Sequence, residues 1–272
     1  MNYGIFGGAT RWGRVLIKNF NEKNCKLIFT SSKFIKNNKN LLDFRKIPKN
    51  TNFIVIATNP HKNLKLLNLF TDKNIFCEKP ILTNYKNFKK IKTRKKIIFC
   101  NYQHIYSDPI NFFKRKLLNK KNYSIQIRFG KNGKERKVLT SYEWLTHPLS
   151  IIFYLGVNLN NVIIDNVNYK SKYKQNFSIQ NKSINILSGN NFKKKEYSIR
   201  MQIKNKTYFY NAAKPLECYV NKKKISFARF PLQSSVNKFL SFLSNPKIYK
   251  KEIKLNMFIT KKIMLFFKKN KI

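Results

Sequence analysis

An apolar run, Tyr3-Gly4-Ile5-Phe6, ends directly in Gly7-Gly8, and a third glycine stands at Gly13. Beyond the turn, Trp12, Val15, Leu16 and Phe20 recur at helical spacing. A buried strand that must become a helix within a few residues needs glycine where the backbone turns sharply and where helix and strand approach closely. The same alternation is then repeated. Lys26–Thr30 reads as a second strand and Asn52–Ala57 as a third, with an unbroken apolar centre; His61–Leu69 reads as a helix. Asn74–Cys77 is a fourth strand, Asn84–Arg94 a lysine-rich helix and Lys96–Cys100 a fifth strand. Continuous apolar strands alternating with helices through short links predict βαβ units and a Rossmann-type, doubly wound parallel sheet.

After about residue 120 the texture changes. Tyr123–Phe129, Val162–Tyr169, Phe177–Leu187, Tyr197–Ile203 and Thr207–Tyr210 read as strands separated by Asn, Lys and Gly turns, with one helix around Ser141–Leu155. Val236–Leu243 and Ile253–Phe267 have helical spacing. The expected class is α/β, with a dinucleotide-binding domain over residues 1–120. An α+β domain over 121–272 follows, built on an open, mainly antiparallel sheet, its last helices free to pack on the first domain. The 272 residues suffice for two such cores.

Composition narrows the functional classes. A hydrophobic fraction of 42% with 15% aromatics belongs to a folded chain, and no apolar run is long enough to cross a membrane. The first residues carry no basic stretch or small-residue cleavage site, so a cytoplasmic location is expected. The four cysteines are scattered, with no Cys-x-x-Cys pair, which argues against a metal site and a disulfide framework. A net charge of +46 invites a nucleic-acid reading. The excess is nearly all lysine, spread along the chain together with Asn, Ile, Phe and Tyr, as A/T-rich codon usage would produce. No specific nucleic-acid partner is expected; the charge instead favours small anionic substrates.

The glycine turn carries the first candidate site. Gly8-x-Thr10-x-x-Gly13 has the spacing of a dinucleotide fingerprint with threonine at the middle position, so Gly8, Thr10, Arg11, Trp12 and Gly13 are expected at the pyrophosphate. The Thr10 hydroxyl is a possible donor to a phosphate. An NAD site would place an acid at the end of the second strand; here the strand ends Thr30-Ser31-Ser32-Lys33. Ser32 and Lys33 suit a 2′-phosphate, so NADP(H) is favoured over NAD(H).

The third strand ends Ala57-Thr58-Asn59-Pro60-His61 and the fourth Cys77-Glu78-Lys79-Pro80. Both segments leave the carboxyl ends of strands, where parallel sheets bind ligands. With 11 acidic residues against 57 basic ones, a glutamate directly before Lys79 is poor filler. At these residues the chain resembles the Gfo/Idh/MocA oxidoreductases, which carry an Ala-Thr-Pro/Asn-Pro turn and then a Glu-Lys-Pro tripeptide. Asn101 to Pro109 stands where that family has its crossover, with His104 in place of an arginine, and Glu143-Trp-Leu-Thr-His147-Pro-Leu-Ser150 resembles its Asp-x-x-x-His-x-x-Asp helix. Pro148 predicts that the helix begins or kinks there.

The resemblance implies that Thr58, Asn59, Pro60, His61, Glu78 and Lys79 line the cofactor and that Lys79 hydrogen-bonds the reacting oxygen. It further implies that His147 is the general acid/base and that Glu143 orients it. The expected reaction is hydride transfer between a nicotinamide and a carbonyl or hydroxyl carbon, of a sugar or nucleotide sugar first, with no metal. A homo-oligomer through the C-terminal sheet is also implied. Ser150 in place of the second acid weakens the case for polyols. Two other readings remain open: a non-catalytic NADP(H) sensor, and a reductase of an imine or tetrapyrrole.

Overall fold

The computed structural model describes residues 1–31, 47–92, 96–135 and 138–272, together with the backbone of Lys39 and Asn40. In chain order it contains β1 (Asn2–Phe6), α1 (Arg11–Asn21), β2 (Lys26–Thr30), β3 (Lys39–Asn40), β4 (Phe53–Ile56), α2 (Pro60–Leu69), β5 (Asn74–Glu78), α3 (Tyr85–Lys89) and β6 (Ile98–Asn101). A 3-10 turn over Gln103–Tyr106 leads to α4 (Asp108–Leu117), β7 (Tyr123–Asn132), a π-helical turn over Ser141–Leu145 and α5 (Thr146–Tyr154). Seven strands follow: β8 (Ile163–Ser171), β9 (Lys174–Gln180), β10 (Ile184–Gly189), β11 (Asn191–Ile203), β12 (Lys206–Asn211), β13 (Glu217–Val220) and β14 (Lys223–Ser226). The chain closes with α6 (Pro231–Ser244) and α7 (Lys250–Lys269). Two compact units result, one of Met1–Asn101 with Ser235–Lys271, the other of Tyr102–Ser234.

The first unit is built on a parallel sheet in the order β3-β2-β1-β4-β5-β6, the doubly wound Rossmann arrangement. All four residues of β4 are buried, as a central strand covered on both faces requires. Aromatic rings fill one face. Phe239 of α6 packs on Phe53, Phe76 and Phe99 with centroids 5.2, 5.3 and 5.5 Å away, and all four are fully or almost fully buried. The outer edge of β6 is closed by a side chain instead of a strand. Asn256 of α7 accepts from Cys100 N (2.8 Å) and donates to Cys100 O (2.9 Å), reproducing a ladder pair.

The second unit holds an eight-stranded sheet in the order β14-β13-β12-β11-β7-β10-β9-β8, antiparallel except for the β7–β10 pair. Its central strands alternate: Ile125, Ile127 and Phe129 of β7 are buried, while Arg128, on the other face, pairs with Glu196. α5 supplies Leu149, Ile151 and Ile152 to the buried layer. Its Pro148 has no N–H for the carbonyl of Trp144. The Ser188 hydroxyl on β10 stands 3.2 Å from that carbonyl and 2.9 Å from Phe129 O, so its single proton is shared between the two acceptors.

Several local expectations need correction. Phe177–Leu187 is not one strand but the hairpin β9–β10: Asn181 Oδ1 accepts from Ser183 N and Ile184 N, both at 2.9 Å, and this Asx turn reverses the chain. The helix expected over Asn84–Arg94 spans only Tyr85–Lys89 among the described residues; Arg94 lies outside them. α4, which begins at Asp108 where the Asn101–Pro109 segment ends, was not anticipated, although Ser107-Asp108-Pro109 is a helix start signal. The change of texture at about residue 120 marks the first strand of the large sheet, while α4 already belongs to the second unit.

Candidate active site

In the first unit three strand ends converge. After β1, Gly7 adopts φ +87°, and a Cβ there would lie 2.4 Å from Ala57 O. A Cβ on Gly13 would stand 2.2 Å from Gly7 O, so α1 can lie against the turn only with glycine at that position. Thr10 is the N-cap of α1: its Oγ1 donates to Gly7 O (2.8 Å) and accepts from Gly13 N (2.9 Å). Its single proton is thus engaged by the turn itself. Arg11 and Trp12 occupy the first turn of α1, where backbone N–H groups have no intrahelical acceptor and the helix end is electropositive.

After β4, Asn59 caps α2 by accepting from His61 N (3.1 Å), Pro60 fills the first helical position, and His61 is exposed. Thr58 Oγ1 donates to Asn63 Oδ1 (2.9 Å), and Asn63 Nδ2 donates to Ile81 O (3.0 Å). One buried amide therefore fastens the turn after β4 to the turn after β5. Asn63 was not among the residues expected at the site; a polar residue beside Leu66 and Leu67 on the buried stripe of α2 was its signal.

Glu78 ends β5 and is 9% exposed. Asn101 Nδ2 donates to its carboxylate, the Trp12 side chain and the Lys79 backbone also hydrogen-bond it, and the Ser235 hydroxyl donates to Asn101 Oδ1 (2.6 Å). Burial pushes the Glu78 carboxyl above the ordinary range, and the Asn101, Trp12 and Lys79 contacts only partly counter it. The next thiol inward, Cys77, is raised well above its ordinary value, first by burial and then by Cys100 and Glu78. Lys79 is half-buried and is joined to Pro80 by a cis peptide bond. The structure thus brings Gly8, Trp12, Gly13, Glu78 and Lys79 into one unit, with Asn101 and Ser235 as unforeseen supports. Ser32 and Lys33 lie outside the described residues.

In the second unit Glu143 sits in the π-helical turn and His147 in the first turn of α5. Thr146 Oγ1 donates to Tyr142 O (2.6 Å) and Ser150 Oγ to His147 O (2.7 Å), so Ser150 is part of the helix's own bonding. His147 packs on Phe129 with centroids 5.2 Å apart, and Phe129 stacks on Tyr197 at 4.7 Å. Burial raises the Tyr197 phenol, and the Glu143 charge raises it further. A cleft of about 430 Å³ opens beside this layer, lined by Lys131, Lys134, Glu135, Glu143, Trp144 and Asn190 among others. Among the described residues no three His, Cys, Asp or Glu side chains gather as metal ligands, and no helix is long and apolar enough to cross a membrane.

No family model matches the chain, and no curated protein matches it significantly. Solved structures match its fold over nearly its whole length. A Gfo/Idh/MocA family oxidoreductase from Vibrio cholerae aligns with a TM-score of 0.75 over 100% of this chain and 98% of its own, at 10% identity. A 3-ketoreductase from Actinomadura kijaniata, in complex with TDP-benzene and NADP, aligns at 0.76 over 96% and 94%, at 10% identity. An inositol dehydrogenase homologue from Azotobacter vinelandii, complexed with NADH and myo-inositol, aligns at 0.75 over 97% and 93%, at 8% identity. The chain has the fold of the Gfo/Idh/MocA oxidoreductases, the family to which its Glu78-Lys79-Pro80 motif points.

Proposed function

We propose that the chain is a nicotinamide-dependent oxidoreductase that moves a hydride between NADP(H) and a carbonyl or hydroxyl carbon of a phosphorylated or nucleotide-linked sugar. The observation that carries this reading is Glu78, a buried and hydrogen-bonded carboxyl directly before Lys79, at the carboxyl end of β5 in a Rossmann-ordered sheet. The glycine turn fits a dinucleotide: Gly7 and Gly13 keep the space that side chains would fill, and the first-turn amides of α1 suit a pyrophosphate. Ser32 and Lys33, with no acid at the end of β2, favour the 2′-phosphate of NADP(H). The bound dinucleotide supplies or accepts the hydride.

The remaining steps belong to the protein. In the reducing direction Lys79 donates a hydrogen bond to the carbonyl oxygen and stabilises the negative charge that grows on it as the carbon is reduced. His147 delivers the proton that converts this oxygen into a hydroxyl; in the oxidising direction it removes that proton. Glu143, four residues before His147 on the same helical face, orients that group. A nucleotide-linked sugar suits both the anion-attracting charge of +46 and the nucleotide bound by the similar 3-ketoreductase.

Titration with NADPH and NADH by fluorescence, followed by turnover of a carbonyl panel with wild type and Lys79→Ala, tests the reading. NADPH binding, with turnover that Lys79→Ala lowers at least ~100-fold while NADPH still binds, supports it. Failure of both cofactors to bind ends it. Tighter binding of NADH overturns the NADP(H) preference. Binding without turnover makes the chain a sensor.

A further inference from the structure

The chain has three histidines; one, His61, is exposed in the first unit. The other two meet. His104, on the 3-10 turn, and His147, on α5, have ring centroids 5.4 Å apart at an interplanar angle of 72°. Both also pack on Phe129, at 5.2 Å each, and His104 is 7% exposed. Two imidazoles and a phenyl ring therefore form one layer over β7, inside a single unit and on the face that carries Tyr197.

We propose that His104 is a positioning residue for His147, and that the two imidazoles act as a pair that holds one proton at neutral pH. A second proton would place two cations one ring-width apart, with Phe129 against both and little water to screen them. Two groups so placed take up protons in separate steps that belong to the pair. The charged or titratable groups nearest in sequence or register to the pair are Tyr106 and Asp108 beside the 3-10 turn, Tyr142 and Glu143 on the π-helical turn, Lys131 on β7 and Tyr197 on β11, while Arg128 of β7 is engaged by Glu196 of β11. Glu143 and Asp108 favour the first proton, while Lys131 and the histidine already protonated oppose the second. The outcome is a His147 imidazole whose protonation depends on whether His104 carries the pair's proton, with its ring held edge-to-face by its neighbour. The catalytic meaning of the pair rests on the proposed oxidoreductase role of His147; the pairing itself does not.

Long-range proton–nitrogen NMR spectra of the ring nitrogens, recorded through a pH titration of the intact protein without substrate, read the coupling directly, with His61 identified by His61→Gln. In His104→Gln, the His147 midpoint is expected to rise by about one pH unit and to become a simple one-site curve. In His147→Gln, the His104 midpoint should rise by a similar amount, because linkage is reciprocal. A His147 midpoint that does not move in His104→Gln overturns the proposal. If that variant does not fold, an unmoved His104 midpoint in His147→Gln does the same. A mere packing role would lower stability without moving either midpoint. Coupling without turnover of any carbonyl would uphold the pair and count against the oxidoreductase reading. Turnover without coupling would do the reverse. In an active enzyme, the pH limb of kcat should follow the NMR midpoint in His104→Gln while KM stays near wild type.

Discussion

Glu78→Gln is the substitution in which the stability and the chemistry of the site should part company. The glutamate receives three donors, from Asn101, Trp12 and the Lys79 backbone, yet burial outweighs them and its carboxyl titrates above the ordinary 4.5. A group whose folded pKa is raised contributes stability that is present below the unfolded value and lost as pH rises through the folded one. Below pH 4.5 the side chain is a neutral acid in both states, and glutamine, nearly the same size and also neutral, should match it closely. Above that value the unfolded glutamate ionises freely while the folded one resists. Wild type then loses about 1.4 kcal/mol per pH unit relative to the variant until the folded group ionises as well.

Glutamine has one oxygen for three donors, so one of them must face its NH₂ group, at a cost of about 1 kcal/mol. The neutral acid carries a smaller form of this handicap, since its hydroxyl oxygen still accepts weakly, and above the ordinary range the pH dependence of the difference is governed by the charge. Urea unfolding followed by circular dichroism, at fixed salt and at several pH values from about 4.5 to 8, measures it. Global charge effects largely cancel in the comparison. The expected result is a variant close to wild type in acid and more stable near neutrality, with the proposed hydride transfer impaired because the carboxyl beside Lys79 is gone. A variant less stable than wild type at neutral pH, with a gap that closes in acid, would show that the three donors dominate. The burial argument would then be wrong.

Three further outcomes follow from the packing. Gly13→Ala places a methyl 2.2 Å from Gly7 O, so α1 must shift; stability should fall by about 1–3 kcal/mol in urea titrations, and NADPH affinity should fall with it. Phe239→Ala empties the centre of the aromatic cluster beneath β4, β5 and β6, at a cost of about 3–5 kcal/mol by the same assay. Lys96 donates to Leu67 O (2.7 Å) and Phe70 O (3.0 Å) at the end of α2, and burial lowers its amine to about 8. The unfolded chain then holds the extra proton between about 8 and 10.5, so wild type should gain stability relative to Lys96→Met as pH rises through that window.

What was legible in the chain, and what was not, separates along a physical line. Strands β1, β2, β4, β5 and β6 and the position of Lys79 could be read because a parallel sheet demands continuous apolar strands, while the two-residue β3, Lys39-Asn40, carries no apolar residue to announce it. The Glu78-Lys79-Pro80 segment stood out because acids are rare in this chain. The polar anchors were hidden for the opposite reason. Asn63, Asn101, Asn181 and Asn256 each fix a turn, a carboxylate or a strand edge, yet asparagine is so common here that no single one attracts notice. Their partners lie far along the chain, as with Asn256 and Cys100, and no local pattern reports such a pairing. The histidines show the same contrast. Their scarcity marked His104 and His147 as informative, but 43 residues of sequence separate them in a numbering that says nothing of the shared Phe129 face. Scarce residues can be weighed from composition, whereas what they do together depends on contacts that only the folded unit supplies. A lysine-rich chain can therefore hide its chemistry among ordinary surface charge and still disclose it at the few places where an acid or an imidazole is buried.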